Sequence, residues 1–162
     1  ENHHALAELP VREWSGGLVH EVRPHVLHLM RGGVFDIAGT TVLAMGGAAS
    51  NDRQYRKEGR SWWPEEMPSE KETEHCRSSL NRVGWKVDCV VTHEAPAALA
   101  EVLCRERGRE YRGDRLQRFL AELDDRLGYR AWFFGHYHGD DRHRLVYRDI
   151  VPIESAAPGS QF

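Results

Sequence analysis

Three histidines in two short segments carry the chemistry that this sequence offers. "VVTHEAP" (Val90–Pro96) places His93 directly after an apolar run, and "FFGHYHGD" (Phe133–Asp140) places His136 and His138 after another. Side chains at i and i+2 of a strand share a face, so extended backbone here predicts His136 and His138 on one side and Tyr137 on the other. Neutral imidazole is the commonest metal ligand among side chains. Gly135 is the expected place for a tight turn between strand and ligand loop, and Pro96 stiffens the chain behind His93. A lone histidine is more often a structural residue than a ligand. What raises these three is that both apolar runs end in the same way. If the two runs are parallel neighbours, all three imidazoles meet beyond the carboxyl edge of one sheet, where α/β proteins place their ligands.

The elements that must position them are legible in outline. From Val19 to Met45 the chain reads as β, with runs at Val26–Met30, Val34–Gly39 and Thr40–Gly46 separated by turn signals at Gly32-Gly33 and Ala38-Gly39. Gly46 to Pro68 is a long polar stretch, and loops of this length tend to be functional or mobile. Ser69 is a helix N-cap, with Glu70, Glu72 and Glu74 in the turns that follow, and that helix runs to about Val83 before Gly84. A buried strand follows at Val87–Val91, then a loop holding His93 and Pro96. A second helix is expected over Asp114–Leu127, where Leu116, Phe119, Leu120 and Leu123 keep helical spacing. Ala131–Phe134 and Arg144–Ile150 are the last strands, and residues 155–162 read as a flexible tail. This order implies an α/β fold with some parallel pairing, and no second domain.

Composition narrows the class. A chain of 162 residues with 40% hydrophobic and 29% charged residues suits one globular domain. The net charge of −3 makes a dedicated nucleic-acid binder an unlikely expectation. No run approaches the length of a membrane span, and no secretory signal is evident at the start. Three cysteines without paired spacing point to reduced thiols and a cytoplasmic protein. The other histidines, His20, His25, His28, His75 and His143, are assigned ordinary structural or surface roles. Arg53, Arg56 and Arg60, in the long loop, are candidate substrate contacts, since a guanidinium offers an anion a fork of donors. Trp62 and Trp63 either wall the site or pin the loop to the core. Asp140 and Asp141 are candidates to orient the imidazoles from behind.

Taken together, these segments resemble the calcineurin-like metallophosphoesterases, in a bacterial branch of that family. "VVTHEAP" is similar to the family motif in which a strand ends in a histidine ligand, and "FFGHYHGD" to its last motif, G-H-x-H. "MGGAASND" followed by "RSWWPEEMP" also looks like the stretch that borders the active site in that branch. The resemblance runs to about Ile153 and begins at Glu1, which aligns with the last letter of the family's G-N-H-E motif. Reading Asn2-His3 as the motif itself would shift the later Pro-Val-x-x-Trp-x-Gly-Gly match by two residues.

The resemblance implies an αββα sandwich of mixed β-sheets flanked by helices, with residues 1–154 forming the C-terminal portion of one domain and the N-terminal strands missing. It also implies hydrolysis of a phosphate mono- or diester at two divalent ions, Mn, Fe or Zn. His93 and His136 would bind one ion and His138 the other. The family's N-terminal D-x-H, G-D-x-x-D and G-N-H motifs have no counterpart here. The chain alone is therefore expected to hold at most one ion, weakly, to lack turnover, and to be prone to self-association. Two other readings are open: a binding or scaffold protein that keeps the phosphoesterase shape without catalysis, and a mononuclear zinc hydrolase using His93, His136 and His138 as its three ligands.

Overall fold

The computed structural model describes residues 3–50 and 53–137. His138, Asp140, Asp141, the expected Arg144–Ile150 strand and the 155–162 tail lie outside the described residues.

The fold is mixed α/β, with two sheets flanked by helices. A short helix, α1 (His3–Ala7), leads into three antiparallel strands, β1 (Val11–Trp14), β2 (Gly17–Arg23) and β3 (Val26–Leu29), which pair in chain order. The strand β1 and the start of β2 lie upstream of the expected β region. The second sheet holds β4 (Gly33–Ile37), β5 (Thr40–Met45), β6 (Cys89–Thr92) and β7 (Ala131–Phe133), also in chain order. Its first pair is an antiparallel hairpin turned by Ala38 and Gly39, both at positive φ. The next two pairings, β5 with β6 and β6 with β7, are parallel.

Parallel neighbours need crossovers, and the helices supply them. The first, α2 (Glu70–Arg82), starts at a reciprocal cap: Ser69 Oγ accepts from Glu72 N–H, and the Glu72 carboxylate accepts from Ser69 N–H at 2.7 Å. It buries Cys76 and Leu80. Gly32, at φ +80°, lets the entry to β4 pass against this helix; a Cβ there would sit 2.9 Å from Cys76 N and Glu72 O. The helix α4 (Arg115–Arg126) opens with the same device between Asp114 and Gln117, and the expected Leu116, Phe119, Leu120 and Leu123 stripe is buried. Between β6 and α4, where only a loop is expected after Pro96, lies a helix, α3 (Ala97–Glu106), which buries Ala100 and Leu103. The core forms where Leu43, Val90 and Trp132 of the sheet meet Leu80, Leu103 and Leu120 of the three helices.

The long Gly46–Pro68 connection is held to the body. Trp62 is buried, and Arg31 donates to the carbonyl of Glu65 at 2.9 Å. Among the described residues, no helix is long and apolar enough to cross a membrane.

Candidate metal centre

The expected juxtaposition of two of the histidines is present. Val91 pairs with Phe133 across β6 and β7, so both strands deliver their next residues to the same edge. The ladder extends one step further, because Gly135 N–H donates to the His93 carbonyl at 3.1 Å. His93 and His136 thus leave adjacent backbones side by side. Met45, at the end of β5, pairs with Thr92 and brings Gly46 to the same rim.

The segment after β7 is not extended at His136, which departs from the strand expected for residues 136 and 137; His138 lies outside the described residues. His136 sits at φ +69°, and Tyr137 N–H donates to the Gly135 carbonyl at 2.8 Å. A bond from i+2 to i around a positive-φ residue is the rare, strained form of γ-turn. The left-handed residue is the histidine itself, not Gly135. Tyr137 does not point away from the site; its hydroxyl returns to Glu94.

The ring geometry of the pair suits a hydrogen bond and would also suit two ligands of one cation. With metal–nitrogen distances of about 2.0–2.1 Å and tetrahedral angles, two imidazole nitrogens on one ion lie about 3.3–3.4 Å apart and their ring centres about 5.2 Å apart. Two rings meeting head-on at the same nitrogen separation would have centres about 5.5 Å apart. His136 Nδ1 and His93 Nε2 are 3.3 Å apart, and the ring centres 5.1 Å, with the planes at 77°. The two nitrogens are within hydrogen-bond reach of each other, and the same separation lies within the range for two imidazoles on one ion.

A carboxylate stands behind the pair. Glu94 is 2% exposed, and its Oε2 lies 3.7 Å from His136 Nε2. Its Oε1 accepts the Tyr137 hydroxyl at 2.5 Å and the Ala95 N–H at 2.8 Å. Burial raises the Glu94 carboxyl above the usual range, against the lowering effect of Tyr137, Ala95 and the Gln117 side chain. Burial, and then the charge of Glu94, push the Tyr137 hydroxyl upward. Thr92 completes the support: its hydroxyl accepts Trp132 Nε1–H at 2.9 Å and donates to the Glu94 carbonyl at 2.6 Å.

Two of the three arginines expected at substrate, Arg53 and Arg56, contact groups of their own loop. Arg53 stacks on Trp62, 3.7 Å from the ring centre, and Arg56 donates to the Ser61 carbonyl at 2.9 Å. Arg60 is exposed in the same stretch. Among the described residues no group of three or more His, Cys, Asp or Glu is placed to hold a metal ion. Of the three expected ligands, the described residues bring His93 and His136 together, and His138 lies outside the described residues.

A second histidine pair, given only ordinary roles from sequence, lies on the other sheet. His20 and His28 are cross-strand partners on β2 and β3, with Nδ1 atoms 3.0 Å apart and ring centres 5.3 Å apart. Those values fit an N–H···N hydrogen bond between the two rings. The pair lines a cavity of about 660 Å³ with Arg31, Glu72 and Arg115.

Compared with known proteins, the chain matches no family model, no curated protein and no solved structure.

Proposed function

We propose that this chain contributes the histidine half of a metal-dependent phosphoesterase centre, built on part of an αββα sandwich. The observation that carries the reading is the convergence of His93 Nε2 and His136 Nδ1, 3.3 Å apart at the shared carboxyl edge of two parallel strands. The motif resemblance around both histidines supports the same reading.

In this scheme His93 and His136 hold one divalent ion, and His138 reaches the second. Borderline imidazole ligands suit Mn, Fe or Zn and do not select among them. Such a pair of ions supplies an activated water and the positive charge that steadies phosphoryl oxygens. The chain's own residues do the rest. Glu94 and Tyr137 back the imidazoles, Thr92 ties His93 to the core, and the γ-turn at His136 aims its ring. Two imidazoles bring no charge to neutralise a pair of divalent ions, so the chain alone holds at most one, weakly, and does not turn over substrate.

The test is equilibrium dialysis of the full chain against Mn²⁺ and Zn²⁺, alongside a chromogenic phosphodiester assay. The expected result is at most one bound ion, lost in H93A and H136A, and no hydrolysis. Two tightly held ions with turnover would overturn the half-site, and no binding at all would favour a scaffold that kept only the shape.

A further inference from the structure

We infer that the cavity between the β2–β3 sheet and the starts of α2 and α4 binds a small organic anion, with its acidic head on the Arg115 guanidinium and its apolar body against Met30 and Met67. No metal enters this inference, and it stands apart from the phosphoesterase reading.

The walls come from elements far apart in sequence. Leu6 of α1, His20 and His28 on paired strands, Met67 just before α2, and Arg115 at the start of α4 all line the cavity. Its volume of about 660 Å³ lies within the range of small-molecule sites, about 300–1,000 Å³. Such sites join apolar walls to a few placed polar groups. The position also suits a ligand. Met45 ends β5 at the carboxyl rim of the second sheet. A Cβ on the next residue, Gly46, would lie 3.7 Å from Arg31 Nε, so the Arg31 wall of the cavity reaches that rim. Open α/β sheets take their ligands at this edge.

Four charged side chains line the cavity, Arg31, Glu65, Glu72 and Arg115, and their existing bonds decide the sign of the ligand. Glu72 is committed: Oε2 accepts the Ser69 N–H at 2.7 Å and the Ser69 hydroxyl at 2.8 Å, and Oε1 faces Arg31 at 3.4 Å. Arg31 is committed in turn, donating to the Glu65 carbonyl at 2.9 Å and the Glu66 carbonyl at 3.4 Å. These two side chains offset each other. Arg115 is held differently, by donation to the Pro68 carbonyl at 2.8 Å. A neutral carbonyl takes one of its five N–H groups and none of its charge. A guanidinium fixed in this way presents a fork of donors to a carboxylate or phosphate. Glu65 is exposed, and it joins the wall through its carbonyl, so its carboxylate is left to water. Arg115 is exposed as well, which makes its grip modest and leaves the apolar walls to supply the rest.

The three methionines make the site readable by ¹³C-methyl NMR of the metal-free full chain. Met30 and Met67 line the cavity, whereas Met45 is 1% exposed in the core and reports whether the fold is intact. With assignments from Met30→Leu and Met67→Leu, phenyl phosphate is expected to shift Met30 and Met67 and to leave Met45 in place. Benzoate should do the same, and whichever of the two binds more tightly names the head group. Inorganic phosphate has only the head and benzyl alcohol only the body, so both should bind more weakly than phenyl phosphate. R115A should weaken phenyl phosphate about tenfold, and E65Q should tighten it about twofold. No response at Met30 and Met67, benzyl alcohol binding as tightly as phenyl phosphate, or an unchanged affinity in R115A would each overturn the inference. The wild-type titrations decide the matter even if R115A fails to fold. H93A and H136A should bind phenyl phosphate like the wild type; loss in either would move the ligand to the histidines and overturn this site. Binding here without metal uptake by His93 and His136 would sink the phosphoesterase reading and leave the cavity standing.

Discussion

Thr92→Val probes the joint between fold and site. Thr92 is 7% exposed at the end of β6, and its hydroxyl serves two buried neighbours. It accepts Trp132 Nε1–H from β7 at 2.9 Å and donates to the Glu94 carbonyl at 2.6 Å. Valine has the same shape and neither function. The substitution leaves an indole N–H and a peptide carbonyl buried without these partners. Each orphaned group costs about 1–3 kcal/mol, so T92V should lose about 2–5 kcal/mol in all. For a domain of this size that lowers Tm by roughly 5–15 °C. Thr92→Ser keeps both bonds and loses one methyl, so it should cost only about 1 kcal/mol. Trp132→Phe removes one of the two orphans in advance, so T92V in that background should cost about 1 kcal/mol less than in the wild type. Urea unfolding of the wild type, T92V, T92S, W132F and the T92V/W132F double variant gives the values. A T92V chain within about 0.5 kcal/mol of wild type would refute the claim that this hydroxyl locks the two strand ends together.

Three further outcomes are expected. His136→Gly should be more stable than His136→Ala by about 1 kcal/mol, since only alanine pays for the left-handed backbone; equal midpoints in urea would mean that the turn is not strained. Leu120→Ala, at a fully buried position of α4, should cost about 2–5 kcal/mol by chemical denaturation, and a cost below 1 kcal/mol would place this helix face outside the core. Asp88 accepts the Thr41 N–H and hydroxyl and pairs with Arg130, which together hold its carboxyl below the ordinary range. A depressed folded-state pKa gives stability that is complete above the unfolded value and is lost as pH falls through the folded one. Asp88→Asn should therefore lower stability near neutrality and flatten its acid loss below about pH 4; an unchanged pH profile would count against this linkage.

Much of the scaffold was readable because local signals agreed with the tertiary outcome. Ser69 with Glu72, and the Leu116–Leu123 stripe, announce α2 and α4 through capping and periodicity, and both helices form where expected. Some parallel pairing was implied by the alternation of strands and helices, and β6 with β7 realises it. The helix α3 was harder to see because it starts without a side-chain cap, at Pro96, and buries only Ala100 and Leu103. Its Ala100 and Leu103 acquire meaning only when packed against the core. Strand β1 is largely exposed, so its burial pattern carries little alternation. At the site, His93 and His136 were identifiable by type and position, but Glu94 was not. Its role depends on Tyr137, 43 positions away, and on a γ-turn that breaks the alternation assumed for a strand. The pairing of His20 with His28 was hidden for a related reason: it depends on the register between β2 and β3.

The most direct test of the central claim is X-ray absorption spectroscopy of the full chain loaded with substoichiometric Zn²⁺. The account predicts nitrogen scatterers at about 2.0–2.1 Å, with imidazole outer-shell features that weaken by one ring in H93A and by one in H136A. A spectrum that lacks imidazole features, or that is unchanged in both variants, would contradict it.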